Sequence, residues 1–174
     1  MADVVVLGAG VSGHTAALHL SRLLPAGNTV TVVSPNSQWN WIPSNIWVGV
    51  GKMTKKQVVF PLAPIYKKKG IRFVQAKATA IHPRGDETSD RAGVDVEYTA
   101  GDKAGRTERI RYDFLVNATG PQLKFGATPG LGPHGGHTVS VCTADHAVEA
   151  AAALRATIER LKAGEAQTLV VGMG

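Results

Sequence analysis

Two groups of residues in this 174-residue chain have the types and spacing to do chemistry. The first is Gly8-Ala9-Gly10-Val11-Ser12-Gly13, a G-x-G-x-x-G run. In such a run the first glycine permits a tight turn, the second lets backbone approach a pyrophosphate, and the third lets a helix pack closely on a sheet. A helix starting there offers unpaired N–H groups and a partial positive charge to an anion. Gly8, Gly10, Ser12 and Gly13 are therefore candidate contacts to a dinucleotide. The second group is Cys142 with His146 four residues on. A thiol just ahead of a helix N-terminus is biased toward the nucleophilic thiolate. A histidine one helical turn away could face the same side and relay protons. The alternative is an inert cysteine beside a solvated histidine.

These residues need elements to position them. Val4-Val5-Val6-Leu7 is a short, β-branched apolar run closed by glycine, which reads as a strand buried on both faces. A helical pattern runs from Val11 to about Leu24 and ends at Pro25-Ala26-Gly27-Asn28, and Val30-Thr31-Val32-Val33 is a second buried strand. Together they make a βαβ unit, the context in which the glycine run carries meaning. Residues 34–57 read as loop, Phe60 to Lys69 as a short helix stopped by Gly70, and Ile71 to Val74 as a strand. Residues 84–93 read as a mobile polar surface loop. Val94 to Thr99 and Glu108 to Tyr112 alternate as an antiparallel hairpin, and Phe114 to Ala118 form a further buried strand. Thr143 through Ala163 is an alanine-rich helix with Thr143 as N-cap. Thr168-Leu169-Val170-Val171 is a last strand, leading into Gly172-Met173-Gly174. The expected fold is α/β: a Rossmann-type domain with a parallel sheet and an antiparallel hairpin or meander insertion.

Composition narrows the function classes. Hydrophobic residues make up 44% and charged residues 18%, which is globular rather than disordered. The net charge of +6 fits an anionic cofactor or membrane surface. No arginine stripe with interleaved aromatics is present, so nucleic acid is not an expected partner. A single cysteine excludes an internal disulfide framework. No signal peptide is seen, and the apolar runs fall well short of the roughly 20 residues that span a bilayer. His134 and His137 have no Asp, Glu or Cys nearby, so no metal site is expected. At the end of the second strand, where NAD-binding domains place an acid, the chain reads Ser34-Pro35-Asn36. Ser34 and Asn36 could hydrogen-bond ribose hydroxyls without a charge.

Asn117-Ala118-Thr119-Gly120-Pro121 follows a strand, and the terminal Val170-Val171-Gly172-Met173-Gly174 looks like the start of a second glycine loop. A glycine loop, an Ala-Thr-Gly turn and a second glycine loop, in that order, resemble flavoproteins with two dinucleotide-binding domains. Within them the chain resembles the sulfide:quinone oxidoreductases. The segments carrying this are Asn40-Trp41-Ile42-Pro43-Ser44-Asn45-Ile46-Trp47-Val48-Gly49-Val50-Gly51, Phe60-Pro61, Ala118-Thr119-Gly120-Pro121 and Ser140-Val141-Cys142-Thr143-Ala144-Asp145-His146-Ala147. The match covers nearly the whole chain except residues 84–93.

The resemblance implies FAD as cofactor, sulfide as electron donor and a membrane quinone as acceptor. It implies that Ala118, Thr119 and Gly120 contact the cofactor, that Pro43 lies near the isoalloxazine ring, and that Ala78 meets the adenine. It makes Cys142 an auxiliary cysteine, since the family's two sulfur-carrying cysteines lie C-terminal to Gly174, so this chain alone is not expected to turn over sulfide. It further implies a domain boundary, with residues 1–167 forming the FAD-binding domain and 168–174 opening a second dinucleotide-binding domain. The intact protein would be a peripheral, monotopic membrane protein docked through residues C-terminal to this chain. Self-association as a homo-oligomer and the side of the membrane stay open. Type II NADH:quinone dehydrogenases and flavocytochrome-type sulfide dehydrogenases share the glycine loops and are the rival enzymes. A non-catalytic nucleotide-binding fragment is the rival of another class.

Overall fold

The computed structural model describes residues 1–133 and 135–172. His134 and the Met173-Gly174 end of the second glycine loop lie outside the described residues. In chain order the elements are β1 (Asp3–Leu7), α1 (Val11–Leu23), β2 (Thr29–Ser34), β3 (Gln38–Asn40), α2 (Asn45–Gly49), α3 (Lys55–Val58), β4 (Val59–Pro61), α4 (Leu62–Lys68), β5 (Arg72–His82), β6 (Gly93–Tyr98), β7 (Thr107–Arg111), β8 (Phe114–Asn117) and α5 (Ala144–Lys162). They fall into two compact units: Met1–Trp39 with Phe60–Gln122, and Asn40–Val59 with Leu123–Gly174.

The first unit is built on a six-stranded sheet in the order β7-β6-β5-β2-β1-β8. β1 lies parallel to both β2 and β8, and β2 lies parallel to β5. From Val4 to Leu7 the alternating side chains of β1 are buried on both faces, which is why that run is continuously apolar. Val5 and Leu7 join Val33 and Val74 in one core with Val94, Val96 and Ile110 of the hairpin. Val6 joins Val30 and Val32 in a second core, against Ala17 of α1 and Leu62 and Tyr66 of α4. The fold is the Rossmann-type α/β arrangement with an antiparallel addition that the sequence predicts.

Local signals explain the ends of α4. Pro64 is tolerated because it sits in the first turn, where no intrahelical N–H is needed. Gly70 takes φ +67°, its N–H reaches the Lys67 carbonyl, and the Ile71 N–H reaches the Tyr66 carbonyl at 2.9 Å. That is a Schellman stop, and it needs a left-handed residue at Gly70.

Several expectations change. β5 does not end at Val74 but continues to His82, pairing with β6 beyond a register shift between Ala78 and Ala80. Its second half alternates small and polar residues, a weak strand signal that the ladder to β6 overrides. Helix α4 starts at Leu62, with Phe60 and Pro61 in β4. In the polar segment 84–93, Asp86 Oδ2 accepts from Arg109 Nη1 at 2.6 Å, and Arg109 Nε also bonds Asp95 Oδ1 of β6 at 2.6 Å. Residues 168–172 form no strand, and Val170 and Val171 are 85% and 88% exposed. A buried parallel strand needs a neighbour to bond, and no described strand pairs with them.

The second unit corrects the reading of 34–57 as loop. It contains a 3-10 turn at Ile42–Ser44 and the short helices α2 and α3. A capping box starts α3: Thr54 N–H donates to Gln57 Oε1 at 2.8 Å. Asn45 is fully buried and exchanges amide hydrogen bonds with Asn40 at 2.9 and 3.0 Å. Such a pair is tolerated because both partners are satisfied. Helix α2 packs closely on α5 at Gly49, where a Cβ would meet Val141 Cγ1 at 2.8 Å. Among the described residues no helix is long and apolar enough to cross a membrane.

Candidate cofactor site

In the first unit, β1 runs straight into the glycine turn. The Gly8 N–H donates to the Val33 carbonyl at 2.8 Å, and the Ala118 N–H donates to the Leu7 carbonyl at 2.8 Å. The turn is thus stitched to the ends of β2 and β8. Gly8 has φ +92°, and a Cβ there would collide with the Ala118 carbonyl. A Cβ on Gly13 would collide with the Gly8 carbonyl. Both glycines are demanded by the chain's own packing.

Gly10 is different. Its φ of −69° suits any residue, and a Cβ would meet nothing within 4 Å. Neither strain nor packing requires a glycine there. What the missing side chain leaves is open access to the first turn of α1. That turn has no side-chain cap and no acidic residue. Gly10 accepts from the His14 N–H, while Ser12 is exposed on the outer side of the turn. Unpaired amides, a positive helix end and open space together form a cradle for a pyrophosphate.

The other predicted contacts of this unit lie as follows. Ala118, Thr119 and Gly120 continue directly from β8, with Gly120 at φ +73°. The Thr119 hydroxyl and N–H both turn back onto the Asn117 side-chain oxygen, at 2.9 and 3.3 Å. Ser34 is buried, and its hydroxyl accepts from the Asn36 N–H at 3.3 Å, so the exposed Asn36 side chain is the freer polar group of the two. The turn between them is held by Thr99, whose hydroxyl donates to the Pro35 carbonyl at 3.0 Å. Ala78 pairs with Val96 across the ladder and packs its methyl against the core.

The second unit holds Pro43, Cys142 and His146. Pro43 is exposed in the 3-10 turn. Cys142 is an exposed free thiol whose N–H donates to the Ser140 hydroxyl at 3.0 Å. Thr143 is the N-cap of α5 as predicted, accepting from the His146 N–H at 3.2 Å. Because Thr143 is extended at φ −125°, Cys142 stands outside the helix. The one-turn spacing therefore does not by itself align Cys142 with His146. The His146 ring packs edge-on against Phe125 with centroids 5.8 Å apart.

Comparison with known proteins gives the family. The model of the pyridine nucleotide-disulphide oxidoreductase family matches residues 2–174. The chain belongs to that family. It is 33% identical over 84% of its length to a sulfide-quinone reductase of Aquifex aeolicus, and covers 30% of that protein. It is 31% identical over 75% of its length to an external alternative NAD(P)H-ubiquinone oxidoreductase B1 of Solanum tuberosum, and covers 22% of it. Among solved structures, the sulfide:quinone oxidoreductase from Aquifex aeolicus superimposes with a TM-score of 0.75 at 31% identity, over 91% of this chain and 33% of that one. The chain thus spans about a third or less of the length of these relatives.

The family is one of FAD-dependent oxidoreductases, and FAD is the cofactor. The cradle at Gly10 fits it, since FAD carries a pyrophosphate between its two halves.

One cluster was missed in the sequence. His14, the residue after Gly13, is buried; its Nδ1 lies 3.0 Å from the Tyr66 hydroxyl. Trp39 and Phe60 stack on each other at 4.7 Å and flank the His14 ring at 5.4 and 6.0 Å. Burial lowers the His14 pKa below 6.5 and pushes the Tyr66 hydroxyl up to about 12. The available signal was the position of His14 on the face of α1 that carries Gly13 and Ala17.

Proposed function

We propose that the chain is the FAD-binding part of a sulfide:quinone oxidoreductase, acting within a protein of the length of its relatives. The observation that carries this is the 33% identity over 84% of the chain to a sulfide-quinone reductase. In this reading the Gly8–Gly13 turn and Ser12 hold the pyrophosphate, and Asn36, with Ser34 behind it, meets the ribose. The backbone at Ala78 meets the adenine, and Ala118, Thr119 and Gly120 contact the cofactor; by resemblance, Pro43 belongs to the loop near the isoalloxazine ring. FAD when bound supplies the two-electron carrier between sulfide and a membrane quinone. Cys142 is an auxiliary thiol for sulfur and His146 a proton carrier near it; both are weighed by resemblance, since Cys142 lies off the helix. Residues 168–174 open a second dinucleotide-binding domain, whose sheet would supply the neighbours that Val170 and Val171 need. The intact protein is peripheral to a membrane.

A second enzyme reading rests on the 31% identity to the NAD(P)H-ubiquinone oxidoreductase. One experiment separates the two. The full-length protein, loaded with FAD and kept anaerobic, is mixed with sulfide or with NADH while flavin absorbance is followed near 450 nm. Bleaching by sulfide within the mixing time and no response to NADH is the expected result. Bleaching by NADH alone would transfer the assignment to the second reading.

A further inference from the structure

The glycine turn is constrained from two sides, and only one of them is explained by the glycine pattern. On one side, Gly8 and Gly13 leave no room for side chains against the Ala118 and Gly8 carbonyls. On the other, the residue that follows is a histidine, not an aliphatic residue. Its ring is buried among Trp39, Phe60 and Tyr66 and bonded to the Tyr66 hydroxyl at 3.0 Å. A leucine would supply apolar packing there without a polar group to satisfy. A buried hydrogen bond adds direction: it fixes the rotation of the first turn of α1, on which the amides of Val11, Ser12 and Gly13 are carried. Tyr66 is itself fixed at its backbone, because its carbonyl receives the Ile71 N–H that closes α4. The pair therefore links the cofactor-facing turn to a helix end that is already locked.

We propose that His14 and Tyr66 are positioning residues for FAD, holding the first turn of α1 so that its amides meet the pyrophosphate without rearrangement. The inference rests on the cofactor assignment above. Neither side chain touches the reacting atoms, and the role is preorganisation: affinity comes from not having to order the turn on binding. Among the described residues, the titratable group hydrogen-bonded to the His14 ring is Tyr66 on α4, and the rings of Trp39 and Phe60 flank it.

The test is an FAD titration of the full-length apoprotein by flavin fluorescence, at a temperature where urea curves show each variant folded. Tyr66→Phe keeps the ring and removes the hydroxyl; it is expected to weaken FAD binding by about five- to tenfold. His14→Leu is expected to weaken it by a similar factor. The double variant should be no weaker than either single one, because the two act as a unit. Trp39→Phe trims the same cluster but keeps the hydrogen bond, and should lower stability with FAD affinity within about twofold of wild type. His14→Gln retains a hydrogen-bonding group and should restore most of the affinity lost in His14→Leu; that pair carries the test if Tyr66→Phe does not fold. Unchanged affinity in folded Tyr66→Phe or His14→Leu would overturn the proposal, as would equal weakening in Trp39→Phe. A wild-type full-length protein that binds no FAD would instead overturn the cofactor assignment on which it rests.

Discussion

The two units solve the problem of holding a shape by different means. In the first, six strands satisfy one another's backbone groups, and two apolar cores flank the sheet. In the second, helices α2 and α3 have five and four residues, too short to be stable alone. They hold because of specific side chains: the Asn40–Asn45 amide pair, the Thr54–Gln57 box, the Gly49 contact, and an ion pair between Lys55 and Asp145. The second unit also leaves Ile42, Ile46, Trp47 and Val50 about half exposed. Tolerance to substitution differs accordingly. A sheet spreads its stability over many equivalent bonds, whereas a unit assembled from short helices concentrates it in a few side chains.

The sharpest way to test that contrast is by glycine substitution. Gly13→Val drives a branched side chain into the Gly8 carbonyl. It should cost more than about 3 kcal/mol and abolish FAD binding, as read by urea unfolding and flavin fluorescence. Gly10→Val has open space and an ordinary φ. It should leave apo stability within about 0.5 kcal/mol of wild type while weakening FAD by on the order of a hundredfold, since the side chain fills the anion's approach. If both variants lose stability equally, the distinction between packing glycine and cradle glycine fails.

In the second unit, Gly49→Val should cost about 2 kcal/mol by overpacking against Val141. Asn45→Ala should cost a similar ~2 kcal/mol, because it removes one half of a buried reciprocal pair. Hydrogen exchange should show the loss in α2 and α5, not in β1 or β2; equal loss in the strands would mean that the units do not unfold separately. Thr143→Ala removes the cap of α5 and should cost about 1 kcal/mol.

The smallest effects come from pH, and they belong to the first unit. His14 is depressed by burial, so its contribution is whole above its unfolded value near 6.5 and is lost as pH falls below it. Asp95 is lowered to about 2, chiefly by hydrogen bonds from Arg109; Asp86 is lowered still further, chiefly by the Thr88 hydroxyl and then by Arg109. Their contribution is present above about pH 4 and is lost toward pH 2. These groups are partly exposed and salt-screened, so the second step should be a few degrees of Tm at most. Arg109→Leu should flatten that step and leave the first in place.

Much of this architecture was legible in the amino-acid sequence, for identifiable reasons. The glycine turn, β1, β2, the hairpin and α5 are set by local patterns: continuous apolar runs, alternation, and a threonine cap. What was not legible depends on partners far along the chain. The second half of β5 alternates small and polar residues and is held as a strand by its ladder to β6. The turns of α2 and α3 hide in a tryptophan-rich stretch because their stability comes from Asn45 and Gly49, whose partners cannot be read from spacing. His14 was passed over because a histidine on a helix gives no sign of a tyrosine 52 residues away. The run 168–171 has every local mark of a strand and forms none here, since a ladder takes two strands.

Everything above turns on the Gly8–Gly13 turn of the first unit as the place where FAD binds. The direct test is a visible absorption spectrum of the purified chain after incubation with FAD and desalting, beside the Gly10→Val variant handled in the same way. The account predicts flavin bands retained by the wild type, in near-stoichiometric amount, and lost from a Gly10→Val protein whose unfolding curve is unchanged. Equal flavin in both would show that the turn is not the cofactor's cradle.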